Sequence, residues 1–204
     1  MGTLAATGGE PMNRGMNNVW LLAGSSALIY AVLAVLMGVV PGLSLSRTQP
    51  TTGAVPLSAQ QARGREVYVS EGCEYCHTQN VRPLKQDLVF GRPSVAGDYA
   101  YGTPELLGDH RNGPDLTNIG ARQPSAAWQY IHLYDPRAVV HGSIMPRYSW
   151  LFEIKTKAGH GDVTVPVPAS FAPRGVVVAT AAAQDLVAYL QSLKQASLKN
   201  GTPR

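Results

Sequence analysis

Cys73-Glu74-Tyr75-Cys76-His77 contains both cysteines of this 204-residue chain, with a histidine directly after the second. The spacing C-x-x-C-H is that of c-type haem attachment. Two thiols three positions apart on one helical turn can each bond a vinyl group of a porphyrin while the adjacent imidazole reaches the iron. A redox dithiol, a structural disulfide and half of a zinc site use similar spacings. Zinc requires two further ligands, and the sequence offers no second Cys pair. A thioredoxin-like βαβ pattern is also missing. The motif therefore predicts one covalently bound haem c, attached through Cys73 and Cys76 with His77 on the iron.

An axial histidine needs an acceptor for its other ring nitrogen, and a backbone carbonyl serves. Gly113-Pro114-Asp115-Leu116 is the candidate, because proline fixes φ and aims a rigid carbonyl. For the second axial position the methionines are informative. Met1, Met12, Met16 and Met37 precede or lie within an apolar N-terminal stretch, which leaves Met145 in Ser143-Ile144-Met145-Pro146. A thioether opposite an imidazole gives a high-potential electron-transfer iron. The rivals are His110, His132, His141 and His160, with His141 nearest in sequence to Met145. With both axial positions filled, the iron has no open site for a substrate, and the sequence shows no second metal cluster, Ser-His-Asp set or phosphate loop. The domain is expected to carry electrons.

Outward from the motif, the pattern is mainly helical. Ser58–Glu71 reads as a helix entered at a Ser cap, and Ala121–Tyr134 contains a second with Ser125 as its cap. Thr180–Lys194 is a third, with Ala183, Leu186, Val187, Leu190 and Leu193 on one face. Gly64 permits close crossing by an aromatic residue such as Tyr189. The Pro-broken stretch between Pro146 and Arg174 reads as loop with room for one edge strand. Residues 59–204 form one domain, without a repeat at solenoid or propeller period.

At the other end, VWLLAGSSALIYAVLAVLMGVV (Val19–Val40) has no charged residue, His, Asn, Gln or Pro. At about 1.5 Å rise per residue it makes a helix of roughly 33 Å, enough to cross a hydrocarbon core of about 30 Å. Trp20 suits the interface, and Pro41-Gly42 is expected to end the helix. A cleaved signal peptide has a shorter apolar region. Ala23, Ala27, Ala31, Ala34 and Gly38 form a small-residue stripe suited to packing against another transmembrane helix. Residues 1–18 precede this span, and the Pro-, Gly- and Ser-rich residues 41–58 read as an extended tether. Flanking charge leaves orientation undecided, with Arg14 on one side and Arg47, Arg63 and Arg65 on the other.

Charged residues make up only 15% of the chain, which carries a net charge of +4. That fraction is low for a soluble domain and fits a membrane-anchored one. The basic residues form no stripe or helix face, which argues against nucleic acid as a partner.

Helix, C-x-x-C-H, Gly-Pro-x-Leu, loop Met and terminal amphipathic helix together resemble class I cytochrome c. More specifically, Gly64–Leu84, Arg111–Gly120, Trp128 with His132, Asp135–Arg137 and Ser143–Leu151 resemble the mono-haem subunit II of cbb3-type cytochrome c oxidases. The small subunits of some nitric oxide reductases look similar. The resemblance implies a single-pass subunit of the bacterial inner membrane, N-terminus cytoplasmic and haem domain periplasmic. It implies as partners a catalytic haem-copper subunit, other membrane subunits and a c-type cytochrome donor. Oxygen is the implied final acceptor; the equivalent subunit of a nitric oxide reductase and a free-standing tethered shuttle are the alternatives. The chain departs from a minimal cytochrome c by a long insert, residues 78–112, where contacts peculiar to the family are expected.

Overall fold

A computed structural model describes residues 18–195; the expected N-terminal segment up to residue 17, with Arg14, and the domain beyond Gln195 lie outside them. The chain divides between Thr48 and Gln49 into two units.

The first unit is one continuous helix over Val19–Leu45, long and apolar enough to cross a membrane, with exposed side chains along its length. Asn18 caps it, its side chain accepting from the N–H groups of Trp20 and Leu21. The helix does not end at Pro41. Pro41 lacks the N–H that would bond the carbonyl four residues back, and its ring crowds that carbonyl. The chain accommodates it with a π turn at Val35–Val39 between α1 (Val19–Ala34) and α2 (Val40–Leu45). In an apolar setting, leaving the helix would strand backbone groups without partners, so widening the ladder costs less than breaking it.

The expected tether over 41–58 is correspondingly shorter. Residues 41–45 are helical, and 49–58 belong to the second unit, where the Thr51 N–H bonds to the Gly97 carbonyl at 3.0 Å and Leu57 packs on the core.

The second unit is built on two crossing helices, α3 (Ala59–Ser70) and α6 (Ala181–Ser192). Ser58 and Gln61 form a reciprocal capping box at the start of α3, and Thr180 caps α6 through the Ala183 N–H. The helices meet at Gly64. A Cβ there would lie 1.9 Å from the Asp185 carbonyl oxygen and 2.8 Å from the Tyr189 Cβ. Tyr68 and Tyr189 pack edge to face, 5.6 Å between centroids, and Arg63 grips the Asp185 carboxylate with two bonds of 2.7 and 3.0 Å. Because the nearest obstruction is backbone, Gly64→Ala is expected to destabilise the unit by at least about 1–3 kcal/mol. Thermal melting of the full chain in detergent checks this, and an unchanged midpoint would show that the crossing can spread.

α5 (Ala126–Tyr134) starts at its Ser125 cap, and the short α4 (Ile119–Arg122) precedes it. Ile131, Leu133 and Tyr134 join Tyr68, Ala183, Leu186 and Val187 in one core. The stretch after Pro146 forms more than one edge strand. β1 (Phe152–Lys155), β2 (Val163–Thr164) and β3 (Val176–Ala179) make an antiparallel sheet in the order β1-β3-β2. Its central strand is the continuous apolar run Val176–Ala179, buried on both sides and therefore without alternation. Tyr134 meets Phe152 edge to face at 5.5 Å, which ties α5 to the sheet.

Candidate functional site

α3 stops at Ser70, and Gly72, left-handed at φ 68°, turns the chain into a 3₁₀ turn over Cys73–Tyr75. The Cys76 and His77 N–H groups both bond to the Cys73 carbonyl, at 3.2 and 3.0 Å. Both thiols and the imidazole thus leave one tight turn. Cys73 is buried, Cys76 half-buried, and both are free thiols. Burial, with the Glu71 carboxylate adding, pushes the Cys73 thiol up to about 12. A redox dithiol relies on a lowered thiol pKa, so this environment runs against that use.

The His77 Nδ1 lies 2.8 Å from the Pro114 carbonyl oxygen. A carbonyl only accepts, so Nδ1 carries the proton and Nε2 keeps its lone pair free. Burial lowers the imidazole's pKa against the opposing pull of the Pro114 carbonyl, which favours the neutral ring. Gly113 makes room for the ring: a Cβ there would fall 2.2 Å from His77 Cε1 and 2.7 Å from Nδ1. Two backbone bonds hold the facing segments together, Gly113 N–H to Cys76 O at 2.9 Å and Leu116 N–H to Thr78 O at 2.8 Å.

Cys73, Cys76, His77 and Pro114 therefore converge. Met145 comes from a separate loop, where its N–H bonds to Ser143 Oγ at 3.3 Å and its half-buried side chain packs on the hydrophobic cluster that includes Cys73 and Leu116. His141 and His160 are exposed, and exposed His110 bonds to Asp109 at 2.8 Å. His132 is different. It stacks on Trp128 at 4.6 Å, its Nδ1 is buried without a hydrogen-bond partner, and burial with the nearby His77 pushes its pKa down to about 4. Sequence proximity favours His141 as the rival ligand; burial favours His132. The Trp128–His132 spacing of one helical turn is the signal that points to it.

A charge network beside the motif is not legible in the sequence. Asp87 and Asp115 are both fully buried. Asp87 pairs with Arg82 at 2.8 Å and Arg111 at 2.6 Å, and Arg111 reaches Asp115 at 3.3 Å. Hydrogen bonds from the two arginines hold the Asp87 carboxyl well below the ordinary carboxylate range. Its folded pKa is therefore below its unfolded value of about 4. Its contribution to stability is complete above that value and is lost as pH falls toward the folded one. Melting midpoints of the full chain should drop steeply below about pH 4, while Asp87→Asn, weaker at neutral pH, should show a shallower acid limb. Parallel limbs would remove Asp87 from the acid response.

An apolar helix of membrane-spanning length, then a mainly helical unit whose thiol and imidazole turn leaves one ring nitrogen open, is the layout of a membrane-anchored haem protein. A family model described as cytochrome c oxidase, mono-heme subunit/FixO matches residues 16–167, and the chain belongs to that family, the mono-haem subunit of cbb3-type oxidases. No curated protein matches the chain. The haem that the family implies fits the residues present: the ring nitrogen opposite Pro114 is available, both thiols are unpaired, and Gly113 leaves the imidazole its seat.

Proposed function

We propose that this subunit carries its haem as haem c, joined to Cys73 and Cys76 with His77 and Met145 as axial ligands. It relays electrons from a c-type cytochrome to the catalytic haem-copper subunit for oxygen reduction. The observation that carries the proposal is the His77–Pro114 bond, which leaves Nε2 free beside two unpaired thiols. The crossing of α3 and α6 at Gly64, with the motif directly after α3, supports a class I cytochrome c domain.

When bound, the haem supplies a reversible one-electron iron couple. The chain's residues fix where it sits. Cys73 and Cys76 supply its covalent attachment, Pro114 holds the His77 ring in one tautomer, and Met145 offers a thioether from outside any helix. His77 and Met145 would together hold the iron and leave it no place for oxygen, so oxygen chemistry would fall to the partner subunit. α1 and α2 anchor the subunit in the bacterial inner membrane, N-terminus cytoplasmic and folded unit periplasmic, with the stripe from Ala23 to Gly38 facing a membrane subunit. Only residues 46–48 separate helix from folded unit, a short leash that fits a fixed relay better than a roaming shuttle.

The test is purification of the tagged chain in detergent, followed by assay with reduced cytochrome c. Co-purification with a haem-copper subunit and consumption of oxygen are expected. A lone haem protein sinks the relay, and consumption of nitric oxide in place of oxygen reassigns the acceptor.

A further inference from the structure

The insert over residues 78–112 distinguishes this chain from a minimal cytochrome c. Among the described residues it holds 3₁₀ turns at Lys85–Asp87 and Ala96–Tyr99 but no α-helix or strand. A segment of this length without regular structure needs side chains to hold its shape, and one end of it is held at the imidazole.

Arg111 makes four different attachments with one guanidinium group. Its Nε donates to Thr78 Oγ1 at 2.6 Å, its NH2 to the Asn80 carbonyl at 2.6 Å and to Asp115 Oδ2 at 3.3 Å, and its NH1 pairs with Asp87 Oδ1 at 2.6 Å. Asp115 closes the arrangement from the other side. Its Oδ2 accepts from Thr78 Oγ1 at 2.7 Å and the Asn80 N–H at 2.8 Å, and its Oδ1 from the Thr117 N–H at 2.9 Å. Arg122 donates to the Asp115 carbonyl, and both Arg111 and Arg122 lie over the Phe90 ring, at 5.6 and 5.1 Å. Thr78 directly follows His77, and Asp115 directly follows Pro114. The network therefore stitches together the two chain segments whose separation sets the His77–Pro114 bond.

We infer that the insert serves as a brace for the axial histidine, with Arg111 and Asp115 as positioning residues that fix the plane of the His77 ring through Thr78 and the Pro114 carbonyl. The inference rests on the proposal that His77 ligates the haem iron. Planar fork geometry is essential to it. A lysine offers one point charge on a flexible stem and cannot reach Thr78, Asn80, Asp87 and Asp115 together.

The experiment uses the full chain purified in detergent with its haem, and compares Arg111→Lys, Arg111→Gln and Thr78→Val with Asp98→Asn. Asp98 pairs with Arg92 at 2.6 Å inside the insert and also bonds Val95 and Gln195, so its loss disturbs the insert away from the Gly113–Thr117 segment. Two readouts report the ring itself: the g values of the ferric haem by electron paramagnetic resonance, which follow the axial imidazole plane, and deuterium exchange of the His77 ring N–H by NMR. Arg111→Lys and Thr78→Val are expected to shift the g values and speed exchange at least tenfold. Asp98→Asn is expected to lower the melting midpoint and leave both readouts unmoved.

Wild-type g values and exchange in Arg111→Lys overturn the inference, as does an equal shift in Asp98→Asn. If Arg111→Gln fails to accumulate, Thr78→Val decides on the same criteria. A covalent haem with an unmoved spectrum in the variants overturns the brace alone. A wild-type chain without covalent haem overturns the proposed function and the brace with it.

Discussion

Cys73→Ala with Cys76→Ala is expected to leave no haem on the chain after denaturing gel electrophoresis, where the unsubstituted protein should still stain for haem. Denaturant removes every noncovalent hold, including any bond from His77 or Met145 to iron, so only thioether bonds survive. Cys73 and Cys76 are the chain's two cysteines, and no other side chain can replace them. Each single variant should keep weaker staining, since one thioether remains. The two positions are not equivalent, because Cys73 is buried within the hydrophobic cluster and Cys76 is half-buried. Truncating Cys73 also removes core packing, at a cost of roughly 1 kcal/mol for the lost group, so Cys73→Ala should lower the melting midpoint more than Cys76→Ala. Haem retained by the double variant on a denaturing gel would refute attachment at this motif.

How much of this was legible beforehand varies with the range of the interaction that decides each element. Caps are local, and Ser58, Ser125 and Thr180 begin helices where a short polar side chain precedes an apolar period. The crossing at Gly64 was readable because a glycine inside a helix calls for a close neighbour; that Asp185 as well as Tyr189 fills the space depends on the crossing angle. The Gly-Pro segment reads as a rigid turn that offers its carbonyl as an acceptor, and the Pro114 carbonyl oxygen lies 2.8 Å from His77 Nδ1.

Other features needed the three-dimensional context. A proline reads as a stop, yet at Pro41 the preceding π turn absorbs it and the helix runs on to Leu45. The prolines between Val165 and Pro173 hid a sheet whose central strand, Val176–Ala179, follows them and shows no alternation. In the insert the sequence shows Arg82, Asp87 and Arg111 only as scattered charges. Asp87 is nevertheless buried, and what makes its burial tolerable is a partner 24 residues away, Arg111 at 2.6 Å. Linear patterns do not encode such pairings. For His132 the one-turn spacing from Trp128 signals the stacked pair, but that its Nδ1 is buried without a partner depends on the packing around it.

That histidine gives the Met145→Ala prediction its discriminating power. The variant is expected to lose the long-wavelength sulfur-to-iron absorption of the ferric protein, and its midpoint potential should fall by roughly 0.1–0.3 V, within the ~0.8 V range that axial ligation commands. A neutral thioether stabilises ferrous iron more than imidazole or water does, so removing it favours the ferric state. Met145 is poised for the role by its loop: the Ser143 Oγ bond to its N–H and the Arg137 guanidinium near its carbonyl fix the backbone while the side chain packs inward. If spectrum and potential are unchanged, the thioether is not the ligand, and the buried, unpartnered Nδ1 of His132 becomes the group to remove next. His132→Ala in the Met145 background then separates two cases. A shift of spectrum and potential that Met145→Ala alone did not produce means that imidazole holds the iron, whereas no change leaves His132 as a packing residue against Trp128, because a ring that only stacks contributes shape and not ligation.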